Sequence, residues 1–221
     1  MTGVQTCGSS DLALWNDENF TPNGHQLPSY DIYVEDFPEF PYDPQRAKEL
    51  LAESSYDGET VTYRLPLNYY LNSLEAAQAI QQMWEAVGFN VSLEPRENWT
   101  LTRAEGTNVR PWSNTHRMPD PMGSFVPQWG RLSWVQNDRD DPARSWDAPE
   151  RFNELQDTIA TATDPAVRQR AYRDALELWV EEAPGTMLYN PLETYALRDE
   201  INWKPYSLYY MDFRPYNLSF D

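Results

Sequence analysis

A run of polar and aromatic residues, Trp112-Ser113-Asn114-Thr115-His116-Arg117, stands just ahead of Pro119-Asp120-Pro121 and Trp129. An arginine offers a planar fork that matches carboxylate or phosphate oxygens in pairs. Ser, Asn and Thr add short hydrogen-bonding groups, while Tyr69, Trp112, Trp129 and Trp134 offer flat faces to an apolar group or a peptide plane. That chemistry is recognition rather than turnover. Only two histidines, His25 and His116, titrate near neutrality, and the chain has no Gly-x-Ser-x-Gly, His-Glu-x-x-His or phosphate-loop pattern. His116 has no Cys or His partner beside it and lacks the ligand set of a stable metal site, so it reads as a structural or ligand-bonding imidazole. Asp120, flanked by prolines, reads as a turn-former. Asn-Asp-Arg-Asp-Asp at 137–141 lacks the alternation and central Gly of a calcium loop and reads as a solvated loop. No catalytic residue, metal or cofactor is assigned.

Composition narrows the partners. With 35 acidic against 17 basic residues and a net charge of -18, the chain has no excess of cations to neutralise phosphates, so no nucleic-acid partner is expected. No stretch approaches the roughly 18 consecutive apolar residues of a membrane-spanning helix. The single cysteine, Cys7, excludes an internal disulfide framework. Residues 1–12 resemble the translation of a sequencing-library adapter; they are expected to be an artefact, with the true gene beginning upstream and carrying the signal peptide there.

The elements that must position these side chains are readable from periodicity. Residues 13–42 lack a sustained period of 2 or 3.6 and read as an extended, packed connector. Asp43 and Pro44 start a helix with Ala47, Leu50 and Leu51 on one face, ending near Ser54 or Ser55. Thr60–Leu65 reads as a strand, Ser73 to Gly88 as a helix with Ala76, Ala77, Ile80, Trp84 and Val87 inward, and Phe89–Leu93 as a second strand. A strand, a helix and a strand joined by short turns form a βαβ unit with parallel strands. Val109–Thr115 is expected to add a strand, and an irregular stretch reaches Pro149. Helices follow over Glu150–Ala162 and Pro165–Glu182, the second capped by Asp164 with Val167, Ala171, Ala175, Leu178 and Trp179 on its core face. Thr186–Tyr189 and Glu193–Leu197 are expected strands, and the aromatic tail Trp203–Phe220 shows no clear period.

Four segments in order carry a resemblance: Tyr42-Asp43-Pro44-Gln45-Arg46-Ala47-Lys48-Glu49-Leu50-Leu51, the stretch from Gln78 to Val91 containing Ala86-Val87-Gly88-Phe89, Pro119-Asp120-Pro121, and Glu181-Glu182-Ala183-Pro184 leading to Tyr195-Ala196-Leu197-Arg198. From about residue 13 to 221 the chain resembles the C-terminal part of the family 5 extracellular solute-binding proteins, which carry peptides, nickel chelates and related solutes to ABC importers. The resemblance implies an α/β fold, the C-terminal lobe of a type 2 periplasmic-binding-protein fold: a parallel-leaning mixed sheet flanked by helices, the N-terminal lobe missing. It implies a partial ligand-binding lobe over 43–190 and a segment, 191–221, that returns toward the missing lobe. It further implies no enzyme, a peptide or small-molecule ligand, ABC permease subunits as partners with the membrane touched only through them, a monomer, and a periplasmic or extracellular location.

Topology puts ligand beyond the carboxyl ends of parallel strands, so Ser113, Asn114, Thr115, His116 and Arg117, after Trp112, are the first candidates, with Tyr69 and Trp129 next. In the peptide-binding relatives an aspartate between the tryptophan and the Asp-Pro pair meets the peptide's ammonium group. Here that aspartate is missing and Arg117 takes its place, which argues for an anionic group on the ligand or a different mode of peptide capture, unless Arg117 pairs with one of the many acids nearby. The rival readings are a carbohydrate-binding or other interaction module, whose domains are usually strand-dominated, and a glycosidase using paired carboxylates.

Overall fold

The computed structural model describes residues 20–38, 41–139, 145–191, 193–206 and 210–221. The adapter-like stretch 1–12, with Cys7, lies outside them. Eight elements form the body. Helix α1 (Pro44–Glu53) leads to strand β1 (Thr60–Pro66), helix α2 (Ser73–Val87), strand β2 (Asn90–Arg96) and the single-turn α3 (Trp99–Thr102); α4 (Phe125–Trp129), α5 (Glu150–Thr161) and α6 (Pro165–Glu182) follow. A small hairpin of β3 (Ile201–Trp203) and β4 (Leu218–Phe220) closes the chain.

The caps explain the helix starts. Asp43 accepts from Arg46 N–H with Pro44 in the first turn, and Asp164 accepts from Ala166 N–H ahead of Pro165. Gly88 ends α2 at φ 116, where an L side chain is strained. Strands β1 and β2 pair in parallel from Thr60↔Asn90 to Pro66↔Arg96, as a βαβ unit requires. Their alternation turns Tyr63, Leu65 and Val91 onto Ala77 and Ile80 of α2, one apolar core. On the opposite face, Arg64 meets Glu94 at 2.8 Å and donates to the Ala104 and Glu105 carbonyls.

A second core joins the connector to the later helices. Leu27, Tyr30, Ile32, Val34 and Phe37 pack with Phe125, Phe152, Ile159, Tyr172, Leu176 and Trp179. The described part of the connector, residues 20–38, is thus irregular but packed. Val34 shows how it tolerates burial without regular structure: its N–H and C=O are both taken by the Gln26 side-chain amide, at 3.0 and 3.1 Å. On α6 the buried face includes Tyr172 and Leu176 beside the expected Ala171, Ala175 and Trp179.

Three expected features differ. Val109–Thr115 is not a strand: only the bridge Tyr63↔Val109 forms, and Pro111, lacking an N–H, ends the pairing. Among the described residues, Thr186–Tyr189 and Glu193–Leu197 form no strand; a single bridge, Phe20↔Asn190, stands in their place, and Pro191 again removes a donor. The tail, without readable period, ends in β4, which pairs antiparallel with β3, a strand that begins two residues before the tail. Each of the two strands is three residues long, too short for alternation to show.

Candidate functional site

Because β1 and β2 are parallel, the segments leaving their carboxyl ends gather on one side. Tyr69 and Tyr70 follow β1, Trp99 follows β2, and Arg110 to Trp112 follow the Val109 bridge. These side chains form one aromatic patch. Tyr69 meets Tyr70 with ring centroids 4.7 Å apart and Trp99 at 5.1 Å, and Trp99 meets Trp112 at 5.9 Å, all edge-on. The Arg110 guanidinium lies 4.3 Å above the Trp112 ring, a cation–π contact that holds the indole flat beneath it. Tyr69 is 58% exposed and Trp112 39%. Tyr70 is more enclosed; burial pushes its hydroxyl up, while a hydrogen bond with Ser113 pulls the other way. The exposed parts of Tyr69 and Trp112 are available to a planar or apolar group.

Beside the patch runs the loop 113–118. Ser113 is exposed, and Thr115 and Asn114 are half-buried. The Asn114 amide nitrogen reaches Met187 Sδ at 3.9 Å, and its Oδ1 is buried without a partner. The Arg117 N–H donates to Gly123 C=O at 3.1 Å, a bond that pins the backbone. Its side chain is exposed and makes no ion pair among the described residues. His116 turns inward: Nδ1 lies 2.6 Å from the Tyr30 hydroxyl, and burial pulls its pKa down to about 4. At neutral pH it is therefore an uncharged group fastened to the connector.

The structure corrects one expected contact. Trp129, at 7% exposure, is a core residue. Its indole N–H is donated to His25 Nδ1 at 2.6 Å, and its ring is enclosed by Trp179 at 5.3 Å and Trp146 at 6.2 Å. A Cβ on Gly185 would lie 2.7 Å from that ring, so the remaining side is closed by backbone. Trp134 is half-buried under the Arg103 guanidinium at 5.2 Å. Asp120 forms its turn as expected, accepting from Met122 N–H, and also holds Arg168 in a two-oxygen pair at 2.9 and 2.8 Å. Asp138 is buried rather than solvated, its N–H donated to Ser145 Oγ at 2.8 Å; residues 140–144 lie outside the described ones. No group of three or more His, Cys, Asp or Glu able to hold a metal occurs among the described residues, nor a helix long and apolar enough to cross a membrane.

Sequence reasoning named Tyr69 and Trp112 but missed Tyr70, Trp99 and Arg110, which complete the patch, and Tyr30 and His25, which anchor the loop. The signal for Trp99 was its place just after β2, where the topological argument applies as fully as it does after Val109.

Comparison with known proteins agrees with this architecture. The family described as bacterial extracellular solute-binding proteins, family 5 Middle, matches residues 15–134, more than half of the chain. Di/tripeptide-binding protein 2 of Pseudomonas aeruginosa (strain UCBPP-PA14) is 26% identical over 192 residues, which are 82% of this chain and 34% of that protein. HbpA2 from Haemophilus parasuis superposes with a TM-score of 0.70 at 20% identity, over 96% of this chain and 42% of its own. The periplasmic binding protein DppA from Helicobacter pylori, solved in complex with the peptide STSA, gives a TM-score of 0.69 at 18% identity, over 85% of this chain and 36% of its own. The chain therefore spans about a third of the length of the curated relative it matches.

Proposed function

Since the chain belongs to the bacterial extracellular solute-binding proteins of family 5, we propose that it supplies part of the ligand-holding lobe of an ABC importer's binding protein. That protein captures a peptide or related small solute outside the cytoplasm and presents it to permease subunits. The observation that carries this reading is the patch of exposed Tyr69 and Trp112 around half-buried Trp99 at the carboxyl ends of β1 and β2, beside the pinned loop that bears Arg117. Stacking on the patch holds the ligand's apolar or planar part. The Arg117 guanidinium, without an anion among the described residues, meets an acidic group on the ligand. Capture is reversible and involves no covalent step, with closure of a second lobe over the patch. The curated relative, named for di- and tripeptides, supports a peptide-like ligand.

The hairpin tail supports a division of the chain into a partial lobe over residues 43–190 and a returning segment over 191–221. Met211, Phe213, Tyr216 and Phe220 are exposed there, an apolar surface suited to the rest of the parent protein.

Calorimetric titration of the chain and of its full-length parent with short peptides and a panel of small acidic solutes tests the reading. Trp112→Ala is expected to weaken binding about tenfold, the order of one aromatic contact. Arg117→Ala is expected to weaken only acidic ligands, tenfold to a hundredfold, the order of a hydrogen bond to a charged group, about 1.5–3 kcal/mol. Binding indifferent to both substitutions would remove the patch and the loop from the site.

A further inference from the structure

His25 is fully buried on the connector, and both of its ring nitrogens are in use. An indole N–H can only donate, so Trp129 Nε1, 2.6 Å away, makes His25 Nδ1 the acceptor. The proton of the neutral ring is then on Nε2, 2.9 Å from Ser124 Oγ, and the tautomer is assigned. Tyr172 O–H donates to the His25 carbonyl at 2.6 Å, and Phe125 and Trp179 close the sides of the ring at 5.4 and 6.3 Å. A second proton has only Nδ1 to go to, where it would face the Trp129 N–H.

Ser124 follows Gly123, whose carbonyl takes the Arg117 N–H. Tyr30, on the same connector, holds His116 at 2.6 Å. The connector therefore grips this region at two points, through Tyr30 at His116 and through His25 at Ser124, next to the Gly123 carbonyl that holds Arg117. We propose that His25 and Tyr30 are positioning residues for segment 113–117, and that acid releases this segment by protonating His25, whose bond to the donor-only Trp129 indole requires it to be neutral.

The groups around His25 give a second proton no compensation. The connector contributes Tyr30 and Asp31, the loop His116, Arg117 and Asp120, and α6 Tyr172 and Arg168; α4 contributes no titratable group. His116, with its ring centroid 5.7 Å away, is neutral above about pH 4 and offers no counter-charge, and once protonated it repels a charged His25. The Asp120 carboxylate is taken by Arg168, and Asp31 is exposed.

The segment's importance rests on the ligand reading above, but the grip is measurable without ligand, so the two can fail separately. Hydrogen–deuterium exchange on residues 113–124 of the whole chain, corrected for intrinsic rate, would be followed from pH 7.5 to 5 against α5 as reference. If opening lets one imidazole regain its ordinary proton affinity near 6.5, its equilibrium rises about thirtyfold at pH 5. Tyr30→Phe is expected to raise exchange near His116 already at pH 7.5, and His25→Gln, which keeps a donor and an acceptor but does not titrate, to flatten the rise. A flat wild-type profile, or a His25→Gln profile as steep as wild type, overturns the proposal. Should His25→Gln lose protection throughout, the indole N–H resonance of Trp129 in the wild type decides. A shift below pH 6.5 together with the loop's exchange supports the grip, and a signal constant while the loop opens refutes it.

Discussion

Replacing Asp120 separates two roles that the structure assigns to one carboxylate. It accepts from Met122 N–H at 2.9 Å, starting the 3₁₀ turn Pro121–Gly123, and it holds Arg168 with both oxygens at 2.9 and 2.8 Å. The paired side chains are 22% and 21% exposed, too enclosed for water to replace either partner freely. Asp120→Asn keeps Oδ1, which serves both the cap and Arg168, but loses the negative charge and the Oδ2 contact, leaving Arg168 with a neutral acceptor there and the Ile159 carbonyl at 2.9 Å. A hydrogen bond to a charged group contributes about 1.5–3 kcal/mol, so Asp120→Asn should cost ~2 kcal/mol. Asp120→Ala removes the cap as well, adding about 1 kcal/mol. With a urea slope of about 2 kcal/mol per molar, these become midpoint shifts of roughly 1 and 1.5 M. Tryptophan-monitored urea unfolding of wild type, Asp120→Asn, Arg168→Met and the double variant gives the coupling directly. We expect ~2 kcal/mol between the two side chains. A coupling under about 0.5 kcal/mol, the range of an exposed pair, would refute the reasoning.

Three further outcomes are expected. Gly123→Ala places a Cβ 2.6 Å from the Met118 carbonyl oxygen, so the turn must shift; denaturant unfolding should show a loss of about 1–3 kcal/mol, the usual range for overpacking. Tyr172→Phe strips the donor from the His25 carbonyl in a fully buried site, and should cost about 1–3 kcal/mol in the same assay, since the acceptor is left unmet. His25 and His116 are both held below their ordinary value, chiefly by burial. Their contribution to stability is complete above about pH 6.5 and is lost as pH falls toward the folded value, about 4 for His116. For His116 that span corresponds to ~3 kcal/mol; thermal unfolding from pH 8 to 4 should show the decline beginning near 6.5, less steep in His116→Gln.

Regular periods and capping residues made the body of this fold legible. Asp43-Pro44 and Asp164-Pro165 gave the helix starts to the residue, because a carboxylate that accepts from the first turn and a proline that needs no donor there act through local geometry. The β1–α2–β2 unit followed from its turns for the same reason. Val109–Thr115 and Thr186–Tyr189 misled, because strand-like composition says only that a segment suits a sheet. Whether a neighbour offers donors and acceptors is a tertiary matter, and Pro111 and Pro191 limited it.

The candidate site divides along the same line. Trp112 and Tyr69 could be named because topology alone places them at strand ends, and the structure finds both exposed. Trp129 lies in an irregular stretch, where nothing local distinguishes a tryptophan that faces solvent from one that faces a core. Its burial is decided by Trp179, Trp146 and Gly185, the nearest of them 17 positions away in sequence. His116 shows the limit most sharply. Beside Arg117 it reads as a ligand group or a structural one, and the deciding contact comes from Tyr30, 86 positions earlier on a segment with no period. A connector without regular structure therefore does more here than join elements. Its hydrogen bonds fix the loop on which Arg117 is carried, so the direction of that arginine depends on residues that local pattern would assign to packing alone.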